Sequence, residues 1–254
     1  MRTGGRRTGG QGDGWTGGQV DGWTGRQVDG WTGALCKVDF ICNLVQNFIM
    51  KIAVFGASGK TGILIVYQAL NQGHEVTAFA RQPTKVTIQH KNLRVILGDV
   101  LDPEKVRLAV EGQDAVLCAL GVDKNKPNTV LSDGTRNILN AMESAGVKRF
   151  ICMSSAGILG NDAGFWFGKI IMPLFLGHVF ADKKRQVKVI EDSRADWVIL
   201  RPTALTDAPK TNTYKINPGI PTSRSIPRAD VADFMIKLVA DKRYDRTMPA
   251  LSSY

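Results

Sequence analysis

From Lys51 onward, short apolar runs alternate with segments whose apolar positions recur every three or four residues. Lys51–Phe55 is a run of strand formers. The glycine-rich GASGKTG of Gly56–Gly62 follows, and then Ile63, Val66, Ala69 and Leu70 keep helical spacing until Gly73. The same reading predicts strands over Glu75–Ala80, Leu93–Leu97, Ala115–Ala119, Arg149–Met153 and Asp196–Leu200. Helices are predicted over Pro103–Val110, Leu131–Ser144, Asp182–Ser193 and Ala229–Ala240. Strands that alternate with helices imply an α/β fold, a Rossmann-type doubly wound parallel sheet with right-handed crossovers. Residues 50–254 are read as one such domain. Its ligand belongs at the carboxyl ends of the strands, where strand order reverses.

The chain before Met50 breaks this pattern. It holds DGWTGGQV, DGWTGRQV and DGWTG in tandem, with 12 of the 27 glycines and three of the five tryptophans. Ordering so much glycine is expensive in backbone entropy and no core is available to offset it. Residues 1–49 are therefore read as a disordered low-complexity extension. Met50 opens directly into the first strand and is a candidate natural start, with a tryptophan-bearing interaction tail as the alternative. Asp13, Asp21, Asp29 and Asp39 argue against a transit peptide.

Charge narrows the partners. The formal net charge is +10, and all but one unit of it lies beyond the extension. The basic residues are scattered, with no arginine-rich helix and no interleaved aromatic platform, so the field is read as serving small anions rather than nucleic acid. Cys36, Cys42, Cys118 and Cys152 form no CxxC pair, and the last two sit in apolar runs as reduced core thiols. The longest apolar stretches are interrupted by charges or proline, so no membrane span is expected and the protein is read as cytoplasmic. His74, His90 and His178 are too scattered to hold a metal, and His74 and His90 are read as surface loop residues.

The glycine loop carries the first chemistry. Because it follows a strand and opens a helix, it reads as a dinucleotide-phosphate loop: Gly56 for the turn, Gly59 for close approach of the pyrophosphate, Gly62 for helix–strand packing. Ser58, Lys60 and Thr61 complete the cradle, and the free N–H groups of the helix start face the phosphates. It is not a P-loop, since Lys60-Thr61 does not follow G-x-x-x-x-G. The second strand ends in Arg81, where an NAD-specific site usually places an acid for the ribose hydroxyls. An arginine there would hold the 2′-phosphate of NADP(H), with Lys60 as a second charge; a solvent-facing strand-end arginine is the alternative.

Together, GASGKTG, Arg81, Gly98-Asp99-Val100, Ala119-Leu120-Gly121, Gly134-Thr-Arg-Asn137, Ser154-Ser155-Ala156, Arg201-Pro202 and Ile226-Pro-Arg-Ala-Asp230 resemble the atypical short-chain dehydrogenases with a GxxGxxG loop. Within these the chain is similar to the group that contains flavin reductase (biliverdin reductase B) and the NmrA-like proteins. The resemblance runs from Met50 almost to Tyr254. It implies that Asp99 and Val100 line the adenine pocket, that Ala119, Leu120 and Gly121 run beside the cofactor, and that Pro202 lies near the nicotinamide. Asp99 has an alternative role as a cap for the helix that begins near Asp102.

Carbonyl reduction in short-chain dehydrogenases commonly uses Tyr-x-x-x-Lys, the lysine lowering the tyrosine pKa. Here the residues four positions after Tyr67, Tyr214 and Tyr244 are Asn71, Pro218 and Met248. Hydride transfer to a flavin needs no such acid, because the protein mainly has to hold two rings face to face. By the resemblance, Ser155, with Ser154 beside it, marks the substrate side. Val187 stands where the flavin reductase branch has histidine, which argues against tetrapyrrole chemistry. Lys183 is the nearest basic candidate, with a solvated face of Asp182-Lys-Lys-Arg185 as its alternative. Phe165, Trp166, Phe167 and Phe175 suit an apolar lid for a flat ring, core filler or a dimer patch equally. The function expected is an NADPH-dependent reductase acting on a flavin, quinone or similar planar acceptor. The alternative is an NmrA-like NADP(H) sensor that reports to a protein partner.

Overall fold

The computed structural model describes residues 49–121, 129–159, 172–219, 223 and 225–254. The chain divides into two units, Met1–Gln46 and Asn47–Tyr254, and every described residue belongs to the second. The repeat extension and the side chains of Phe165, Trp166, Phe167, Phe175 and His178 lie outside the description.

The first half is a run of strand–helix units: β1 (Lys51–Phe55), α1 (Lys60–Asn71), β2 (Glu75–Ala80), β3 (Leu93–Leu97), α2 (Pro103–Val110), β4 (Ala115–Cys118), α3 (Val130–Ala145) and β5 (Arg149–Met153). Then come α4 (Met172–Glu191), β6 (Asp196–Pro202), β7 (Ala204–Thr206), β8 (Lys215–Asn217), β9 (Ser225–Pro227), α5 (Arg228–Ala240) and β10 (Ala250–Ser252). Sheet order is β3-β2-β1-β4-β5-β6-β10-β8, with β7 and β9 paired separately. Strands β1 to β6 run parallel, β10 joins β6 in parallel, and β8 closes the edge antiparallel. The order reverses between β1 and β4, so their carboxyl ends diverge to opposite sides and leave a crevice.

Alternation along each strand feeds two cores. Ile52 and Val54 of β1 pack with α1 and α5 on one face, while Ala53 and Phe55 pack with α2, α3 and α4 on the other. Cys118 and Cys152 are Cα partners on β4 and β5, both free and buried. Arg201, fully buried in β6, donates from Nε to Met248 O at 2.7 Å and from Nη2 to Gly219 O at 3.0 Å. It thereby ties β6 to the last strands, which accounts for an arginine in an otherwise apolar run.

Two expectations are corrected. The helix expected from Asp182 begins ten residues earlier, at Met172. Pro173 looks like a breaker in the sequence, but it falls in the first turn, where its missing N–H has no intrahelical partner to lose. Strands β7 to β10 were not anticipated. Each is three residues long, too short for alternation to register.

Candidate active site

The sharpest geometric constraint at the crevice is the turn after β1. Gly56 has φ +79°, and a Cβ there would stand 2.5 Å from Ala119 O. On Gly62 a Cβ would meet Gly56 O at 2.0 Å. Both glycines are required by backbone packed on backbone, which lets α1 start hard against β1 and β4. Gly59 is the N-cap of α1 and supplies no side-chain cap, and no acid lies in the first turn. The first-turn N–H groups are thus left for an external acceptor.

Above this loop lies a cavity of about 600 Å³. Gly56, Ser58, Gly59, Lys60 and Thr61 form its floor, Arg81 its wall at the end of β2, and Ala119, Leu120 and Gly121 its side after β4. Val100 lines it as well. A second cavity of about 640 Å³ lies between α3 and the last turn of α4, walled by Leu139, Met142 and Val189, and none of the loop residues reaches it.

Arg81 is exposed and makes no hydrogen bond or ion pair with any described residue. Lys60 is engaged: its Nζ lies 2.8 Å from Asp207 Oδ2. Asp207, which follows β7, also takes Nη1 of Arg228, the first residue of α5. These two cations hold its carboxyl below the usual carboxylate range.

Three expected cofactor residues are not on the cavity wall. Gly62 contributes through packing alone. Asp99 is exposed, and its Oδ1 accepts from Leu101 N at 2.9 Å, closing a turn beside the cavity. Nor does it cap α2, since Asp102 does so by accepting from Glu104 N and Lys105 N. Pro202 is buried at the end of β6, opposite Leu251.

None of the expected catalytic residues is on the cavity wall: Ser154 and Ser155 follow β5, and Lys183 lies on α4. Ser154 is buried and its Oγ has no partner among the described residues, while Ser155 is half-buried. Lys183 is half-buried on α4, and burial pushes its ammonium below the usual lysine range. It faces Cys118 and Cys152. The two thiols face each other across the strands, which lowers the pKa of Cys118 and, with burial, raises that of Cys152. Asp182 is also turned inward. It accepts from Leu131 N at 2.9 Å and from Ser132 Oγ at 2.6 Å, so it serves the start of α3. The solvated-face alternative therefore fails for Asp182 and Lys183 and holds for exposed Lys184 and Arg185. Val187 packs partly buried against the core of that face. His74 is half-buried rather than on the surface, its Nδ1 accepting from Met50 N at 3.3 Å.

Sequence reasoning missed Phe79, Met153, Leu205 and Arg228 on the cavity wall. Arg228 left a signal: a cation at a helix N-terminus opposes the dipole unless an anion is near. Among the described residues there is no cluster able to hold a metal ion and no helix long and apolar enough to cross a membrane.

A model of NAD(P)H-binding proteins matches residues 56–242. The chain belongs to that NAD(P)H-binding family. An uncharacterized chloroplastic protein of Arabidopsis thaliana is 32% identical over 66% of this chain and 64% of its own length. An uncharacterized sugar epimerase of Bacillus subtilis is 26% identical over 76% of this chain and 89% of its own. Among solved structures, an oxidoreductase from Lactococcus lactis superposes with a TM-score of 0.70 at 25% identity, covering 81% of this chain and 91% of that one. The glycine cradle, the uncapped helix start and the cations on the cavity wall suit a dinucleotide's phosphates.

Proposed function

We propose that the protein is an NADPH-dependent reductase that passes hydride to a flavin, quinone or similar planar acceptor. The observation that carries the reading is Arg81: a guanidinium with no ion-pair partner among the described residues, on the cavity wall at the end of β2, where an NAD site would offer an acid. Ser58, Gly59, Lys60 and Thr61 would hold the pyrophosphate and Arg81 the 2′-phosphate. Leu120 and Gly121 would run beside the nicotinamide ribose, and the bound nicotinamide would supply the hydride.

The surroundings of the cavity support that acceptor class. No tyrosine lines it among the described residues. Tyr67 is exposed on α1, and Tyr214 donates to Asp233 at 2.9 Å, its own pKa raised by burial and by that carboxylate. Ketone reduction and keto-sugar epimerisation both need a proton shuttle of that kind, whereas a planar redox ring needs mainly position. A cavity wall without tyrosine among the described residues therefore favours a planar acceptor over a keto-sugar. Lys183 and the Ser154 hydroxyl, which has no partner among the described residues, would supply any proton or hydrogen bond the reduced acceptor requires. Ser155 would orient nicotinamide or substrate.

Incubating the full-length protein with NADPH and FMN, FAD or a quinone tests the reading. Oxidation of NADPH with at least one acceptor is expected. Tight NADPH binding without turnover on any of them would move the reading to a redox sensor, which the missing tyrosine also suits.

A further inference from the structure

The cavity mouth carries an ion-pair bridge that the cofactor reading leaves unused. Lys60 and Arg228 are the first residues of α1 and α5, and both line the cavity. Each sits at the positive end of a helix dipole, an unfavourable place for a cation unless an anion is close. Asp207 meets both, from a loop that reaches across from β7. That loop is anchored on α5. Buried Asp230 accepts from the N–H groups of Thr211 and Asn212, each at 3.0 Å, and Lys210 pairs with Asp233 at 2.7 Å. The two contacts of Asp207 differ in kind. The Lys60 side chain is 71% exposed and Asp207 63%, so water competes with their contact, whereas Arg228 is only 19% exposed.

We infer that Asp207 is an internal competitor of the cofactor: its carboxylate occupies Lys60 in the ligand-free protein and gives that cation up to a phosphate of the entering dinucleotide. Arg228 keeps Asp207 in place, so the exchange is confined to the contact that is cheapest to break. Asp207 is thus a residue that sets cofactor affinity without touching the cofactor. The inference rests on the dinucleotide reading above.

Titrations of NADPH and NADH against the full-length protein, Asp207→Asn, Lys60→Ala and the double variant test it. Asp207→Asn is expected to tighten binding by about two- to five-fold, the scale of an exposed ion pair. The gain should vanish in the Lys60→Ala background, and Asp207→Glu should restore the wild-type affinity. A gain confined to NADPH assigns the exchange to the 2′-phosphate, and an equal gain for both nucleotides assigns it to the pyrophosphate. Weaker or unchanged binding in Asp207→Asn overturns the inference, as does a gain that persists without Lys60, which would mean simple repulsion through space. A wild-type protein that binds neither nucleotide sinks the dinucleotide reading itself, a result distinct from a bound wild type with an indifferent Asp207.

Discussion

Gly56 and Ala119 stand at the two sides of the switch point, and the carbonyl oxygen of Ala119 fills the space a side chain on Gly56 would need, 2.5 Å from the Cβ position. The end of β4 thus closes on the turn after β1, and this contact brings the glycine loop and Leu120 to one cavity. Substitution Gly56→Ala adds a positive-φ penalty of about 1–2 kcal/mol to that overlap. A loss of more than about 2 kcal/mol in denaturant unfolding is expected, together with loss of nucleotide binding. Unfolding curves that superpose on those of the wild type would refute the contact.

Gly134 plays the matching role for α3. A Cβ there would lie 2.5 Å from Cγ1 of Val100, a residue of the cavity wall. Gly134→Ala should destabilise by about 1–3 kcal/mol, the usual cost of overpacking. Val100→Ala in the same chain should recover part of the loss. Additive losses in the double variant would show that the two residues do not share this space.

Lys183 makes a pH prediction whose sign is fixed by the direction of its shift. Burial lowers its folded pKa below the unfolded value, so between the two the unfolded chain binds the extra proton. Stability therefore gains a rising contribution as pH climbs through that window, below the ordinary lysine range, and the desolvation penalty is fully present at lower pH. Lys183→Met should flatten this rise in urea midpoints measured from pH 7 to 10. If Lys183 donates a proton during turnover, the wild-type rate should fall over the same window. A slope unchanged by the substitution would place Lys183 in water.

The sheet was legible in the sequence from β1 to β6, because the central strands are near-continuous apolar runs buried on both faces, as in Ile52–Phe55 and Ala115–Cys118, and the exposed edge strand β3 still keeps strand formers in Val95 and Ile96. The glycine loop was legible for a related reason: all its groups are neighbours in sequence. What stayed hidden is what tertiary structure assembles. Lys60 and Asp207 are 147 positions apart and share no local pattern. Lys183 sits in a charged run that looks solvated until α4 is laid against the sheet with Asp182, Lys183, Gln186 and Val187 turned inward at helical spacing. Asp99 is the opposite case: an acid after a strand fits both a ligand and a turn, and one oxygen of its carboxylate is committed to the turn at Leu101.

Arg81 is proposed to select the 2′-phosphorylated dinucleotide for hydride transfer. The most direct test is a parallel titration of NADPH and NADH against the wild-type protein and Arg81→Ala. The account predicts that the wild type prefers NADPH and that Arg81→Ala loses about tenfold in NADPH affinity, the scale of one charge-assisted contact, with NADH unchanged. Equal affinity for the two nucleotides in the wild type, or an equal loss of both in the variant, would contradict it.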